Sequence, residues 1–128
     1  MKNEIKVEFR NEFKGKLTTT TNSELTIGLE QIRPYDMMLG ALVSCYHATF
    51  LDILQKKRQV VEHVSYQVTG TKRTEVPTTL EHVLMSVKVV GVSDETQANK
   101  CFELAKKYCS VYSTISHVAE IEVVISYE

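Results

Sequence analysis

Ile5, Val7 and Phe9 alternate with Lys6, Glu8 and Arg10, the two-residue period of a strand with one face buried and one wet. Leu25, Ile27 and Leu29 repeat that period, and residues 11–22 between them hold Gly15 and four consecutive threonines. β-Branched residues flanked by turn formers predict a middle strand, so the N-terminal third reads as a three-stranded meander. The period then changes. Pro34 brings the fixed φ favoured at the first helical position, and Asp36 puts a negative charge in the first turn. Apolar residues continue to Leu54, ahead of Lys56-Lys57-Arg58, which predicts a helix over about 34 to 57. Met37, Met38, Leu39, Ala41, Leu42, Val43 and Cys45 cover nearly every side of this helix, which is therefore expected to run through a core or an interface.

Val64, Tyr66 and Val68, and after a turn at Pro77 the set Val83, Met85, Val87 and Val89, alternate with polar neighbours and predict two paired strands. Asp94 with Gln97 has the form of a capping box. Behind it Ala98, Cys101, Phe102, Ala105, Tyr108 and Cys109 fall on one face of an amphipathic helix, and Ile121, Val123, Ile125 and Tyr127 close the chain as a last strand. The predicted order is β-β-β-α-β-β-α-β, an α+β chain with its helices against one sheet. With 128 residues and no Pro/Gly/Ser-rich linker, it is expected to form one domain over residues 1–128.

Charge narrows the partners. Fifteen basic and sixteen acidic residues leave a formal charge of −1, which offers no broad positive field to a phosphate backbone, so nucleic acid is not expected as a partner. The basic run at 56–58 suits the negative end of a helix dipole. The N-terminus lacks an apolar stretch followed by small residues, so a cytoplasmic location is expected. The charge-free stretch at residues 37–51 is too short to span a bilayer, and a membrane is not expected as a partner either.

Three cysteines without CxxC spacing form neither a disulfide scaffold nor a zinc-ribbon motif, which leaves thiol chemistry. No HxxxH pair, phosphate-binding glycine loop or GxSxG elbow is present, so no metal and no cofactor is expected. Cys45 lies in the middle of the first helix, where the dipole does not lower a thiol pKa, so an activated Cys45 calls for a nearby cation. Arg10, Arg33 and Arg73 are the candidates, and spacing does not choose among them. His47, two positions on, points away from Cys45 on a helix. Cys101 and Cys109 are separated by eight helical positions, about 12 Å, too far for a disulfide. An internal disulfide would therefore join Cys45 to Cys109 or to Cys101, and the helix-end position of Cys109 gives it the freer approach.

The segment Pro34-Tyr35-Asp36-Met37-Met38-Leu39-Gly40-Ala41-Leu42-Val43-Ser44-Cys45 resembles the Pro-Glu-x-Leu-Leu-x-Ala-x-x-x-x-Cys helix of the OsmC/Ohr family, with the cysteine eleven residues after the proline. Lys107-Tyr108-Cys109-Ser110-Val111 is similar to the region around that family's second cysteine. The stretches Leu54-Gln55-Lys56-Lys57-Arg58-Gln59 and Lys72-Arg73-Thr74-Glu75-Val76-Pro77 look most like the YhfA-type branch of OsmC-like proteins. The resemblance implies an intertwined homodimer with the long helices at its centre and two equivalent sites at the interface. It also implies a peroxidase serving oxidative-stress defence. Cys45 as thiolate would attack the O–O bond of an organic hydroperoxide, and the resulting sulfenic acid would condense with Cys109 to a disulfide reduced by an external dithiol.

The sequence departs from that pattern at one position with chemical weight. The family's glutamate after the proline, which holds an activating arginine, is matched by Tyr35, with Asp36 one position later, and the family's Gly-Gly-Arg loop has no clear counterpart. Two other readings stand beside the peroxidase. In one, a dimeric binding protein holds a small hydrophobic ligand in a pocket lined by Met37 and Met38. In the other, a redox sensor uses the same disulfide as a switch.

Overall fold

In the computed structural model, which describes residues 2–128, the chain divides into an N-terminal unit ending at Met38 and a C-terminal unit, Leu39–Glu128. The N-terminal unit holds the expected meander. Strands β1 (Ile5–Phe9), β2 (Lys14–Thr19) and β3 (Glu24–Gly28) pair antiparallel in the order β1-β2-β3. The β2–β3 turn places Asn22 at φ 64°, a left-handed conformation that asparagine tolerates. Gly15 in β2 leaves room for Phe9, since a Cβ there would stand 2.5 Å from the Phe9 ring and 2.8 Å from the Glu8 carbonyl. The alternation in β1 does not translate into burial: Ile5, Val7 and Phe9 are 57%, 38% and 48% exposed. An edge strand of a three-stranded sheet has no layer of its own to cover its apolar row.

Helix α1, Pro34–Lys56, starts and stops as its sequence predicts. The Asp36 carboxylate accepts from the Arg33 backbone N–H at 2.9 Å, the backward half of a capping box. At the other end Arg58 takes φ 57°, and the Gln59 N–H returns to the Leu54 carbonyl, which closes the last turn. The apolar helix buries one seam, Leu42, Tyr46, Phe50 and Leu54, each four residues from the last. At 23 residues it is long and apolar enough, by length and composition alone, to cross a membrane. The charge-free stretch at 37–51 understates its length, because Asp36, Asp52 and Lys56 lie inside the helix.

The second unit carries strands β4 (His63–Lys72), β5 (Leu80–Val90) and β6 (Glu120–Tyr127) in the order β4-β5-β6, with β4–β5 antiparallel and β5–β6 parallel. The parallel pairing requires a crossover. Helices α2 (Glu95–Tyr108) and α3 (Ser110–Ser116) supply it. The core gathers Val83, Met85, Val87 and Val89 of β5, the α1 seam and Ala98, Cys101, Phe102 and Ala105 of α2. Phe50 and Phe102 lie face to face, centroids 3.8 Å apart and planes 7° from parallel, and Tyr46 donates to the Phe102 carbonyl at 3.0 Å.

The α+β class and the predicted element order hold, with two amendments. The strands form two three-stranded sheets instead of one, β1-β2-β3 and β4-β5-β6. A third helix, α3, follows Cys109 where the sequence reading left an unassigned segment.

Candidate active site

Cys109 sits at a junction. It caps the C-terminus of α2 through its N–H to the Ala105 carbonyl, then turns into an extended conformation (φ −74°, ψ 117°) and becomes the N-cap of α3. Its Sγ accepts the Tyr112 N–H at 3.4 Å, the bond that serine or aspartate usually makes at this position. The turn carries the first residues of α3 across to Cys45, halfway along α1 and 65 positions earlier. Cys45 Sγ and Ser110 Oγ lie 3.9 Å apart.

The two thiols act on each other and are pushed in opposite directions. The Val111 backbone N–H, the Cys109 and Ser110 side chains and the Ser110 N–H favour the charged form of Cys45, which outweighs its partial burial and places its pKa below that of an ordinary thiol. Burial pushes the Cys109 thiol up, and its hydrogen bond to Cys45 and the charge on Cys45 push it further the same way. Proximity thus moves two identical groups in opposite directions, Cys45 toward its charged form and Cys109 toward its neutral one. All three cysteines are free. Cys101 is fully buried, and burial raises its pKa.

The three arginines expected as candidate activators sit as follows. Arg73 is tied to its own loop, its backbone N–H donating to Thr79 and its Nε to the Pro77 carbonyl at 2.9 Å. Arg33 pairs with Asp36, Nε to Oδ2 at 3.7 Å, and Arg10 lines a cavity of about 380 Å³ beside Glu8 and Glu12. Asp36 is occupied at the helix N-terminus, and Tyr35 is half-buried in the same first turn. Met37 is half-buried and Met38 is 39% exposed. Cavities of about 510 and 550 Å³ in the second unit are lined by other residues, around Tyr66 and Lys88 in one and Lys57 and Glu103 in the other. Among the described residues no three His, Cys, Asp or Glu side chains gather to hold a metal ion. His47 faces β4 and meets Tyr66, Nδ1 to Oη at 2.9 Å, on a different side of α1 from Cys45.

Ser110 and Val111 escaped the sequence reading. The segment Ser110-Val111-Tyr112-Ser113-Thr114-Ile115-Ser116 is rich in β-branched residues and serine, which obscures a helix. The available signal was Val111 and Ile115 four positions apart behind a side chain able to cap.

This pair of cysteines falls inside a recognised sequence family: the family model described as OsmC-like protein matches residues 28–124, from the end of β3 into β6. The chain belongs to the OsmC-like protein family. Protein YhfA of Escherichia coli K12 is 34% identical over 80 residues, which span 61% of this chain and 60% of YhfA. The match therefore covers less than two thirds of that curated relative. Among solved structures, a hypothetical protein from Aquifex aeolicus VF5 superposes with a TM-score of 0.90 at 24% identity, over 100% of this chain and 97% of the other. An OsmC-like protein from Mycoplasma pneumoniae gives 0.88 at 16%, over 99% and 97%. A Legionella pneumophila protein described as an organic hydroperoxide resistance protein gives 0.77 at 12%, over 98% and 97%. At such identities the likeness is one of fold, and the OsmC-like chain shares that fold along nearly its whole length.

Proposed function

We propose that this OsmC-like protein is a thiol-dependent peroxidase for organic hydroperoxides, acting in oxidative-stress defence with Cys45 as nucleophile and Cys109 as resolving thiol. The observation that carries the reading is the meeting of the Cys109–Ser110 turn with Cys45, Ser110 Oγ lying 3.9 Å from Cys45 Sγ, with Cys45 displaced toward its charged form and Cys109 away from it. A thiolate is the attacking species in peroxide reduction, and a neighbouring protonated thiol is the group needed next. The Cys45 sulfur takes the terminal oxygen of ROOH, the O–O bond breaks, and the departing RO⁻ takes a proton to leave as ROH. Cys109 then attacks the sulfenic acid, expelling water and forming the Cys45–Cys109 disulfide, which an external dithiol returns to two thiols. The resolving step keeps Cys45 from the irreversible sulfinic rung. The names of fold relatives, organic hydroperoxide resistance proteins among them, support the same substrate class.

The test is turnover of cumene hydroperoxide with dithiothreitol. The parent should consume many equivalents, Cys45→Ser should lose essentially all of that rate, and Cys109→Ser should turn over for a few cycles before inactivating as sulfinate, seen as a +32 Da mass shift. A Cys45→Ser variant as fast as the parent sinks the proposal.

One observation favours a second reading, a redox sensor. The sulfur that would enter the disulfide is also the N-cap of α3, so oxidation alters a structural bond. A protein that reacts with one equivalent of peroxide and then stops, with dithiol present, is a switch and not a catalyst.

A further inference from the structure

Of the groups around the Cys45 sulfur, Ser110 supplies two: its backbone N–H and its hydroxyl, the latter 3.9 Å from Cys45 Sγ. Its position follows from the chain turn at Cys109, which starts α3 at Ser110. The Ser110 carbonyl is held by the Thr114 hydroxyl at 3.0 Å, while the Ser110 side chain is exposed and has the Cys45 sulfur as its protein partner. The hydroxyl is therefore not consumed in a capping bond, which the Cys109 sulfur makes instead. A hydroxyl is neutral at every pH of interest, cannot be oxidised by the substrate, and donates along whichever direction its rotor selects.

We propose that Ser110 is a thiolate-holding residue of the Cys45 site, its hydroxyl donating to the Cys45 sulfur in the ground state. This deepens the peroxidase reading without depending on turnover, because the property assigned is the protonation of Cys45. The other groups acting on that sulfur among the described residues are the Val111 N–H, the Ser110 N–H and the Cys109 thiol. Two of these three are backbone groups that survive any substitution at 110. Removing the hydroxyl alone therefore isolates its share. A donor lost from a charged acceptor raises the thiol pKa, so the Ser110 hydroxyl's removal leaves less thiolate at a given pH below the midpoint.

The experiment follows the rate at which iodoacetamide alkylates the Cys45 peptide, read by mass spectrometry, against pH in the parent and in Ser110→Ala, Ser110→Thr and Ser110→Val. The Ala and Val variants should move the midpoint upward, by more than the scatter between repeat profiles, while keeping the same limiting rate at high pH. Threonine, with the shape of valine and the hydroxyl of serine, should restore the parent profile. Superimposable profiles for parent and Ser110→Ala, or equal displacement by Thr and Val, overturn the proposal. Far-ultraviolet circular dichroism verifies that each variant is folded, and the Thr and Val pair holds shape constant should alanine loosen α3. Cumene hydroperoxide turnover is measured alongside. A parent without turnover but with a hydroxyl-dependent alkylation profile removes the peroxidase and keeps Ser110, whereas turnover with an unmoved profile does the reverse.

Discussion

Cys45 and His47 stand two positions apart on one helix, and the geometry of a helix assigns them to different surroundings. Cys45 meets the start of α3, and His47 meets Tyr66 of β4. The sequence was sufficient to separate them and to single out Cys45, whose distance from Pro34 is a matter of counting. It was not sufficient to name their partners, because the Cys45–Ser110 contact joins residues 65 apart and no local pattern encodes such closure. The donors to Cys45 come from another element as well. A mid-helix thiol gains nothing from its own helix, and the start of α3, not any neighbour in sequence, brings the Val111 and Ser110 backbone to it. His47 yields a prediction at this scale. Burial lowers its pKa below the ordinary 6.5, so on acidification the unfolded chain takes up the proton first. The stability tied to neutral His47 is complete above about 6.5 and drains away as pH falls through the depressed value. Urea midpoints measured from pH 7.5 down to about 5, above most carboxylate titrations, should therefore decline with pH in the parent. The slope should be shallower in His47→Gln, which keeps a polar partner for Tyr66. Equal slopes would show that His47 does not contribute to the acid sensitivity.

Elements divide by how strongly their periodicity is written. The strands with clean alternation and the capped α2 emerge where the sequence places them, since period and cap agree. α3 was missed because seven residues of low helix propensity carry one apolar pair, and its start rests on an unusual cap, a cysteine sulfur. α1 was legible in extent but not in burial. Of its many apolar positions only the seam Leu42, Tyr46, Phe50 and Leu54 is sealed within the single chain, and periodicity does not select that stripe from an all-round apolar helix. The seam makes the element-scale prediction. Phe50 is fully buried and lies flat against Phe102, so Phe50→Ala removes a ring from both partners and leaves a cavity. The expected loss is about 3–5 kcal/mol, seen as a lower urea midpoint with an unchanged m-value. Val118→Ala, at a position 64% exposed, should stay within about 0.5 kcal/mol. If the two variants are destabilised equally, the Phe50–Phe102 stack is not the centre of this core.

At the scale of the whole molecule, the apolar surface that one chain leaves open becomes the argument. β1 exposes Ile5, Val7 and Phe9, and α1 exposes Met38, Gly40, Ala41, Ser44 and Ala48, with open space beyond Gly40. Exposed apolar residues on a strand, and separately small residues on one helix face, mark positions where another surface approaches closely. The occupant proposed is a second copy of this chain, in line with the intertwined homodimer that the sequence resemblance implies. Ala48 is the position to test, because its side chain is exposed and its replacement leaves the buried seam untouched. Ala48→Arg would place a large cation against apolar surface in a dimer, at a cost of several kcal/mol, but would be solvated in a monomer. Analytical ultracentrifugation should give the parent twice the chain mass at micromolar concentration. Ala48→Arg should return a single chain mass with an unchanged circular dichroism spectrum, whereas Ala48→Ser should remain dimeric. A parent sedimenting as one chain removes the homodimer, and a dimer indifferent to Ala48→Arg moves its interface away from this face of α1.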